Sequence, residues 1–525
     1  MNDSPTSPLQ RLLTANAEFI LTPNRCFLFI SSLLFAIFIM KSLLFPGIGG
    51  DDGEQIIFAQ YFDWGYVVRN PPLYTWFVIL AQKVFGVSAF AVNAIKFITL
   101  LSLYWFLYRT GVLLYKDHRI AILAALSPLL IFHIAWDSLL GFSHSVLVAT
   151  LYAATLYAVF NLEKNNRILS YVGLGAAIGC GILSKYAFVF FLIALIAAAL
   201  FDSKLRSRLL NPKIIISFVI AAIITTPHLM WLYDRHTAMA GELAPALTAQ
   251  GMTSHLFAAG KGILSGIKAI IGFLLPLLVF LALFFPAAWR PKLTTPDADQ
   301  QRHHRIFRIF FSFLIGFIFL FIIAGGVSRV RTHYMFVMVL APVWFFLRVK
   351  MADMGDMNER HLKGYAGILS AAAIVVLLGL PIKYVAEPWR CGKCEHHMPY
   401  EVLAADLKKA GFQGGTIFAY WHPYPIAGNL RIAFPKSRVI SAKHPSAMPP
   451  LQTKSSTTSQ CLLVWSGAAQ GPQANNTIRL AKQHLNVSVN SKAIAKTVDA
   501  QLRVGTKKKF ILGYVLLKTG LGNCH

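Results

Sequence analysis

Residues 49–76 read GGDDGEQIIFAQYFDWGYVVRNPPLYTW, and the rest of the chain is read from them. Asp51, Asp52, Glu54 and Asp63 crowd into this stretch of a chain in which only 14% of residues are charged. It follows the first apolar run directly and closes on Arg69, the Pro71-Pro72 pair, Tyr74 and Trp76. Carboxylates at a membrane boundary can act as general bases, bind a metal, or simply be solvated. Taken alone, such a loop reads as solvated surface. Its setting, with Gly49-Gly50 before it, a di-proline after it and some ten apolar runs behind it, makes it a candidate site.

Of the 525 residues, 56% are hydrophobic and 13% aromatic, which excludes an ordinary soluble protein and indicates a polytopic α-helical membrane protein. Apolar runs fall at 26–46, 88–108, 119–135, 139–160, 168–183, 186–201, 213–232, 264–288, 306–326, 333–349 and 365–385, about eleven transmembrane helices. The formal charge of +27 sits mostly in short clusters between these runs. That is the pattern of topology signals and contacts with a lipid bilayer, not of a nucleic-acid surface. Residues 1–25 are too polar for a signal segment, and the run after them lacks a cleavage site, so it is expected to stay in the membrane.

With residues 1–25 cytoplasmic, the basic loops around Arg109, Lys164, Arg206, Arg302 and Lys350 all fall on the cytoplasmic side. The loop 47–87 and everything beyond 386 then lie on the opposite, non-cytoplasmic side. Segment 72–86 is too short to span and is expected to be an interfacial helix, as is 54–64. The transmembrane domain is read as 26–385. Residues 386–525 alternate helical and β-rich patterns and are read as a small C-terminal α/β domain outside the cytoplasm. Cys391, Cys394, Cys461 and Cys524 lie there, an even number outside the cytoplasm. For Cys391-Gly-Lys-Cys394 with His396 and His397, a structural disulfide is favoured over a zinc or redox site.

The unusual polar residues of the membrane part converge on the non-cytoplasmic face: Asp51, Asp52 and Glu54, then Asp137, Lys185, His228, and Arg329, Arg331, His333 and Tyr334. Each has an ordinary structural reading: Lys185 snorkelling, His228 satisfied in a core, Asp137 capping a helix. Jointly, acids beside Lys, Arg and His on one face suggest a phosphate-bearing lipid with a base near it.

The set Gly50-Asp51-Asp52-Gly53-Glu54, Pro71-Pro72-Leu73-Tyr74, Asp137, Ser184-Lys185-Tyr186, Pro227-His228-Leu229-Met230-Trp231 and Arg331-Thr332-His333-Tyr334 resembles the GT-C glycosyltransferases of the protein O-mannosyltransferase type. It is more similar still to the bacterial branch that includes the aminoarabinose transferase of lipid A. The resemblance spans nearly all of the first 350 residues and carries nothing onto the C-terminal domain. It implies an inverting transfer of a sugar from a polyprenyl-phosphate donor to a periplasmic acceptor, either a glycolipid such as lipid A or its core, or protein Ser/Thr. Asp51 is then the candidate base and Asp52 its closest rival, since adjacent carboxylates raise one of the two pKa values. Lys185, Arg331 and His333 would stabilise the leaving phosphate, and Arg69 and Tyr74 would help close the loop over the donor. Glu54, Asp137, Tyr186, His228 and Tyr334 complete the expected substrate-binding set. No cofactor is required, although the acids and phosphate leave room for a divalent cation near Asp51 and Asp52. The rival readings are a transporter or flippase of a lipid-linked sugar, and a non-catalytic membrane scaffold.

Overall fold

In the computed structural model the chain is described over residues 17–236, 252–290, 297–352, 359–390, 394–420, 423–444, 447–450, 460–487, 494–504 and 507–517. Each of the eleven apolar runs is helical. Among the described residues eight helices are long and apolar enough to cross a bilayer: Pro23–Leu44, Ala89–Tyr115, Ser143–Lys164, Ile214–Tyr233, Ser254–Phe284, Ala298–Ala324, Thr332–Met351 and Glu359–Arg390. Two more runs are bent, by 76° between His118–Leu130 and His133–Leu140 and by 116° between Phe188–Leu200 and Ser203–Leu209; counting each as one span gives ten. The remaining run is the 17-residue helix Ile168–Ser184.

By contact the chain forms two compact units. One comprises Met1–Phe35, Val68–Pro71 and Ile98–Leu377; the other comprises Ala36–Val67, Pro72–Phe97 and Leu378–His525. This division cuts across the boundary expected at residue 386. The reason is that the acid-bearing stretch shares a core with the C-terminal α/β region.

In the first unit, close helix packing positions the junction after Ser184. A Cβ at Gly175 would stand 2.5 Å from the Ser217 carbonyl oxygen, and one at Gly179 would stand 2.9 Å from Ile224. The small-xxx-small pair thus lets Ile168–Ser184 lie directly on Ile214–Tyr233, the geometry by which membrane helices associate without a hydrophobic driving force. Two residues on, Gly181 makes room for the ring of Phe188, which would meet a Cβ at 2.2 Å. The chain can therefore turn sharply through Lys185 and start the next helix at Phe188.

The second unit is built on a five-stranded sheet of β1 (Gly415–Tyr420), β2 (Arg438–Ser441), β3 (Gln460–Ser466), β4 (Lys496–Gln501) and β5 (Lys509–Leu517), in the order β2-β1-β3-β5-β4. β1 is parallel to β2 and β3, while β5 runs antiparallel to β3 and β4. Alternation sends Phe418, Ile440, Leu463 and Trp465 to one face, where the helix Pro472–Leu485 contributes Ala474, Ala481 and Leu485. Ile417, Val439, Leu462 and Val464 point to the other face, where they pack with Ile57, Phe58, Tyr66 and Val67 of the acid-bearing stretch.

The edge strand β2 is also read by that stretch. The Gln60 side-chain amide accepts from Val439 N and donates to Val439 O, both at 2.8 Å, as a strand neighbour would. Cys394 and Cys461 each take part in a disulfide, in keeping with the structural reading of this region, and Cys26 and Cys180 are free thiols. Cys391 and Cys524 lie outside the described residues.

Candidate active site

The acids do not form an open loop ahead of a helix at 54–64. They sit inside a helix that starts earlier, Gly50–Phe58, with Asp51 and Asp52 in its first turn, where the helix dipole favours negative charge. Leu73–Phe85 forms the second short helix, as expected. The second unit anchors the start of the acidic helix. Asn429 accepts from Ile48 N at 3.0 Å and donates to Ile48 O at 2.9 Å, and Glu395 accepts from Gly50 N at 3.2 Å. A Cβ at Gly53 would stand 2.6 Å from the Tyr424 carbonyl oxygen, and one at Gly428 would stand 2.9 Å from the Gly53 Cα. Only glycines permit the helices Gly50–Phe58 and Pro423–Ala433 to cross this closely.

Within that helix the two aspartates have different surroundings. Asp52 is 4% exposed; Lys96 Nζ donates to its two carboxylate oxygens at 2.7 and 2.8 Å, and Lys41 Nζ adds a contact at 3.3 Å. Asp51 is only part-buried. Asp52 is thus the centre of a buried ion triad, its single negative charge facing two lysine side chains. Glu54 and Tyr74 are buried, at 3% and 0% exposed, so Tyr74 does not reach out to close over a ligand. Thr75 donates to Gln55 at 2.7 Å and ties the two short helices together.

An expected outcome follows for Asp52→Asn. It leaves two buried ammonium groups without a counter-charge, so unfolding stability should fall by about 3–5 kcal/mol. A thermal melt of the solubilised protein, unchanged from wild type, would contradict the structural assignment of Asp52.

The first unit gathers the basic residues. Lys185, in extended conformation at the end of Ile168–Ser184, donates to Ser145 Oγ at 2.8 Å. His144 hydrogen-bonds the Ser184 backbone and lies within electrostatic reach of Lys185 and Arg69. His333 lies within the same reach of Lys185, Arg331, His133 and Asp137. Asp137 pairs with His133 at 2.6 Å across a single π-helical turn, and His133 stacks on Phe273 at 5.6 Å. Arg69, Asp137, Lys185, Arg331 and His333 therefore lie in one electrostatic neighbourhood.

The segment that delivers Arg329 and Arg331 is held by Ser265, whose hydroxyl accepts from Val330 N at 3.0 Å and donates to Val330 O at 3.1 Å. Arg329, Val330, Tyr334 and Met335 of this segment border a cavity of about 230 Å³ walled by Phe190, Phe191, Phe317 and Phe321. Tyr186 and His228 form a separate contact at 3.0 Å, with Trp231 stacked on His228 at 5.7 Å. His228 is fully buried and braces the junction around Lys185.

Lys41, Lys96, His133 and His144 were not singled out from the sequence. Lys41 and Lys96 did carry a signal, since each is a charge inside an apolar run. Among the described residues no group of three His, Cys, Asp or Glu side chains gathers as a cation site. Both Asp52 oxygens accept from lysine.

A carboxylate-bearing short helix after the first span, and a lysine–arginine–histidine group at the ends of later spans, are features by which this polytopic helical protein resembles the GT-C glycosyltransferases. Residues 69–231, which include Asp137, Lys185 and His228, match the family model of the dolichyl-phosphate-mannose-protein mannosyltransferases. The lipopolysaccharide core galacturonosyltransferase RgtB of Rhizobium johnstonii is 28% identical over 424 residues, which is 79% of this chain and 81% of that one. RgtA of the same organism, also a lipopolysaccharide core galacturonosyltransferase, is 25% identical over 420 residues with the same coverage. ArnT from Cupriavidus metallidurans in the apo state shares the fold with a TM-score of 0.56 over 93% of this chain and 97% of that one, at 12% identity. The form bound to undecaprenyl phosphate gives 0.51 with the same coverage and identity.

Proposed function

We propose that the protein is an inverting membrane glycosyltransferase that moves a sugar from a polyprenyl-phosphate donor onto lipid A or the lipopolysaccharide core, at the periplasmic face of the bacterial inner membrane. The observation that carries this reading is the grouping of Lys185 with Arg331 and His333, the latter two on a segment whose Arg329, Val330, Tyr334 and Met335 border an apolar cavity. A cationic group beside an apolar wall suits the phosphate head and the hydrocarbon tail of one ligand. In the proposed step the Asp51 carboxylate takes the proton of an acceptor hydroxyl as its oxygen attacks the anomeric carbon. The bond from that carbon to the phosphate oxygen breaks, and the polyprenyl phosphate leaves with the electron pair. Lys185 and Arg331 offset the charge that grows on it.

The activities of RgtB and RgtA support a glycolipid acceptor over a protein one, and galacturonic acid as the donor sugar. The test supplies wild-type membranes with a radiolabelled polyprenyl-phosphate sugar pool and follows the label. Label is expected in the glycolipid fraction. Label in protein would overturn the acceptor assignment, and movement of the intact lipid-linked sugar across the bilayer without transfer would overturn the enzyme itself.

A further inference from the structure

A second cavity in the first unit, of about 660 Å³, lies between the helices Ala89–Tyr115, Ser143–Lys164 and Ile168–Ser184. Its size falls within the range of small-molecule sites, about 300–1,000 Å³. It is far from the proposed donor site. Lys185 meets the Ser143–Lys164 helix at Ser145, whereas this cavity reaches Asn161 and Asn165 at the helix's other end, about 24 Å along at 1.5 Å per residue. Arg167 and Ser170, at the start of the helix that Lys185 ends, also line it.

The lining is amphiphilic and graded. Arg109, Tyr157, Asn161, Asn165, Arg167 and Ser170 form a polar rim, with Asn165 donating to Asn161 at 2.8 Å. Leu151, Ala154, Gly173, Ala176, Ala177 and Cys180 continue it as an apolar wall toward mid-span. No carboxylate lines the cavity, and among the described residues neither arginine has an acidic partner. Arg109 is held by Trp105 and Tyr157, over whose rings its guanidinium lies at 5.2 and 5.6 Å, so its charge is oriented without being neutralised. A basic pocket between helices at the end of a bundle, continuous with an apolar groove, is complementary to one ligand class.

We propose that this cavity binds an anionic glycerophospholipid, its phosphate between Arg109 and Arg167 and one acyl chain along the wall at Gly173, Ala176 and Cys180. On the topology proposed above the site opens to the cytoplasmic leaflet. It does not depend on the transferase reading.

The test is native mass spectrometry of the full chain in detergent, titrated with phosphatidylglycerol against phosphatidylcholine of the same acyl chains. Phosphatidylglycerol adducts should persist where phosphatidylcholine adducts are lost. Removing both charges, Arg109→Gln with Arg167→Gln, should weaken phosphatidylglycerol binding by about tenfold or more, at roughly a few-fold per basic residue. Gly173→Leu tests the acyl wall independently of charge and of folding risk, because a Cβ there meets nothing within 4 Å. It should also remove the adduct. Lys185→Gln should retain it. Equal binding of the two lipids, or adducts unchanged in the double variant and in Gly173→Leu, would overturn the proposal. So would loss of the adduct on Lys185→Gln, which would assign the lipid to the donor site.

Discussion

Asp51→Asn is expected to lower sugar transfer by about 10²–10⁴-fold, the range a positioned general base contributes, while leaving the fold intact. The expectation rests on the contrast within one helical turn. Asp52 is enclosed by Lys41 and Lys96, whereas Asp51 is part-buried on a helix whose start is clamped by Asn429 and Glu395. Asparagine preserves the size of the side chain and its place in the first turn but cannot take a proton. The two aspartate variants should therefore separate cleanly, with Asp51→Asn keeping its melting temperature and losing activity, and Asp52→Asn losing stability first. The measurement is label transfer beside a thermal melt for both. If Asp51→Asn transfers at the wild-type rate, the base lies elsewhere.

Much of this site was legible in the sequence because its signals are compositional. Asp51 and Asp52 stand out in an acid-poor chain, Lys185 interrupts an apolar stretch, and Arg331 and His333 open another. What could not be read were partnerships between residues far apart in sequence. Lys96 reaches Asp52 across 44 positions, Lys185 reaches Ser145 across 40, and Asn429 reaches Ile48 across 381. No periodicity encodes such pairs. The span pattern was legible as eleven apolar runs, yet length alone does not reveal that a run bends, as at Leu130 and Leu200. The C-terminal region looked separable because its composition changes after 385. Its sheet nevertheless takes Ile57 and Phe58 into its core, and that follows from burial in three dimensions.

Lys185→Gln is expected to reduce transfer by about 10²–10³-fold, with the larger share of the loss in kcat. The donor phosphate is a diester carrying a single negative charge. As the bond to the anomeric carbon breaks it becomes a monoester that approaches about two charges near neutral pH, as phosphate monoesters do. A cation beside it therefore binds the transition state more strongly than the ground state, and only that difference accelerates the step. Lys185 suits the role because its ammonium is held by Ser145 at 2.8 Å, within reach of His333, and the sharp turn permitted by Gly181 fixes its backbone. Glutamine can keep a contact with Ser145 while losing the charge, so the fold should survive. Steady-state transfer with varied donor separates the outcomes. A fall in kcat with a modest rise in KM supports charge stabilisation at the leaving group. A rise in KM alone would make Lys185 a residue that only holds the donor head, and unchanged kinetics would remove it from the site.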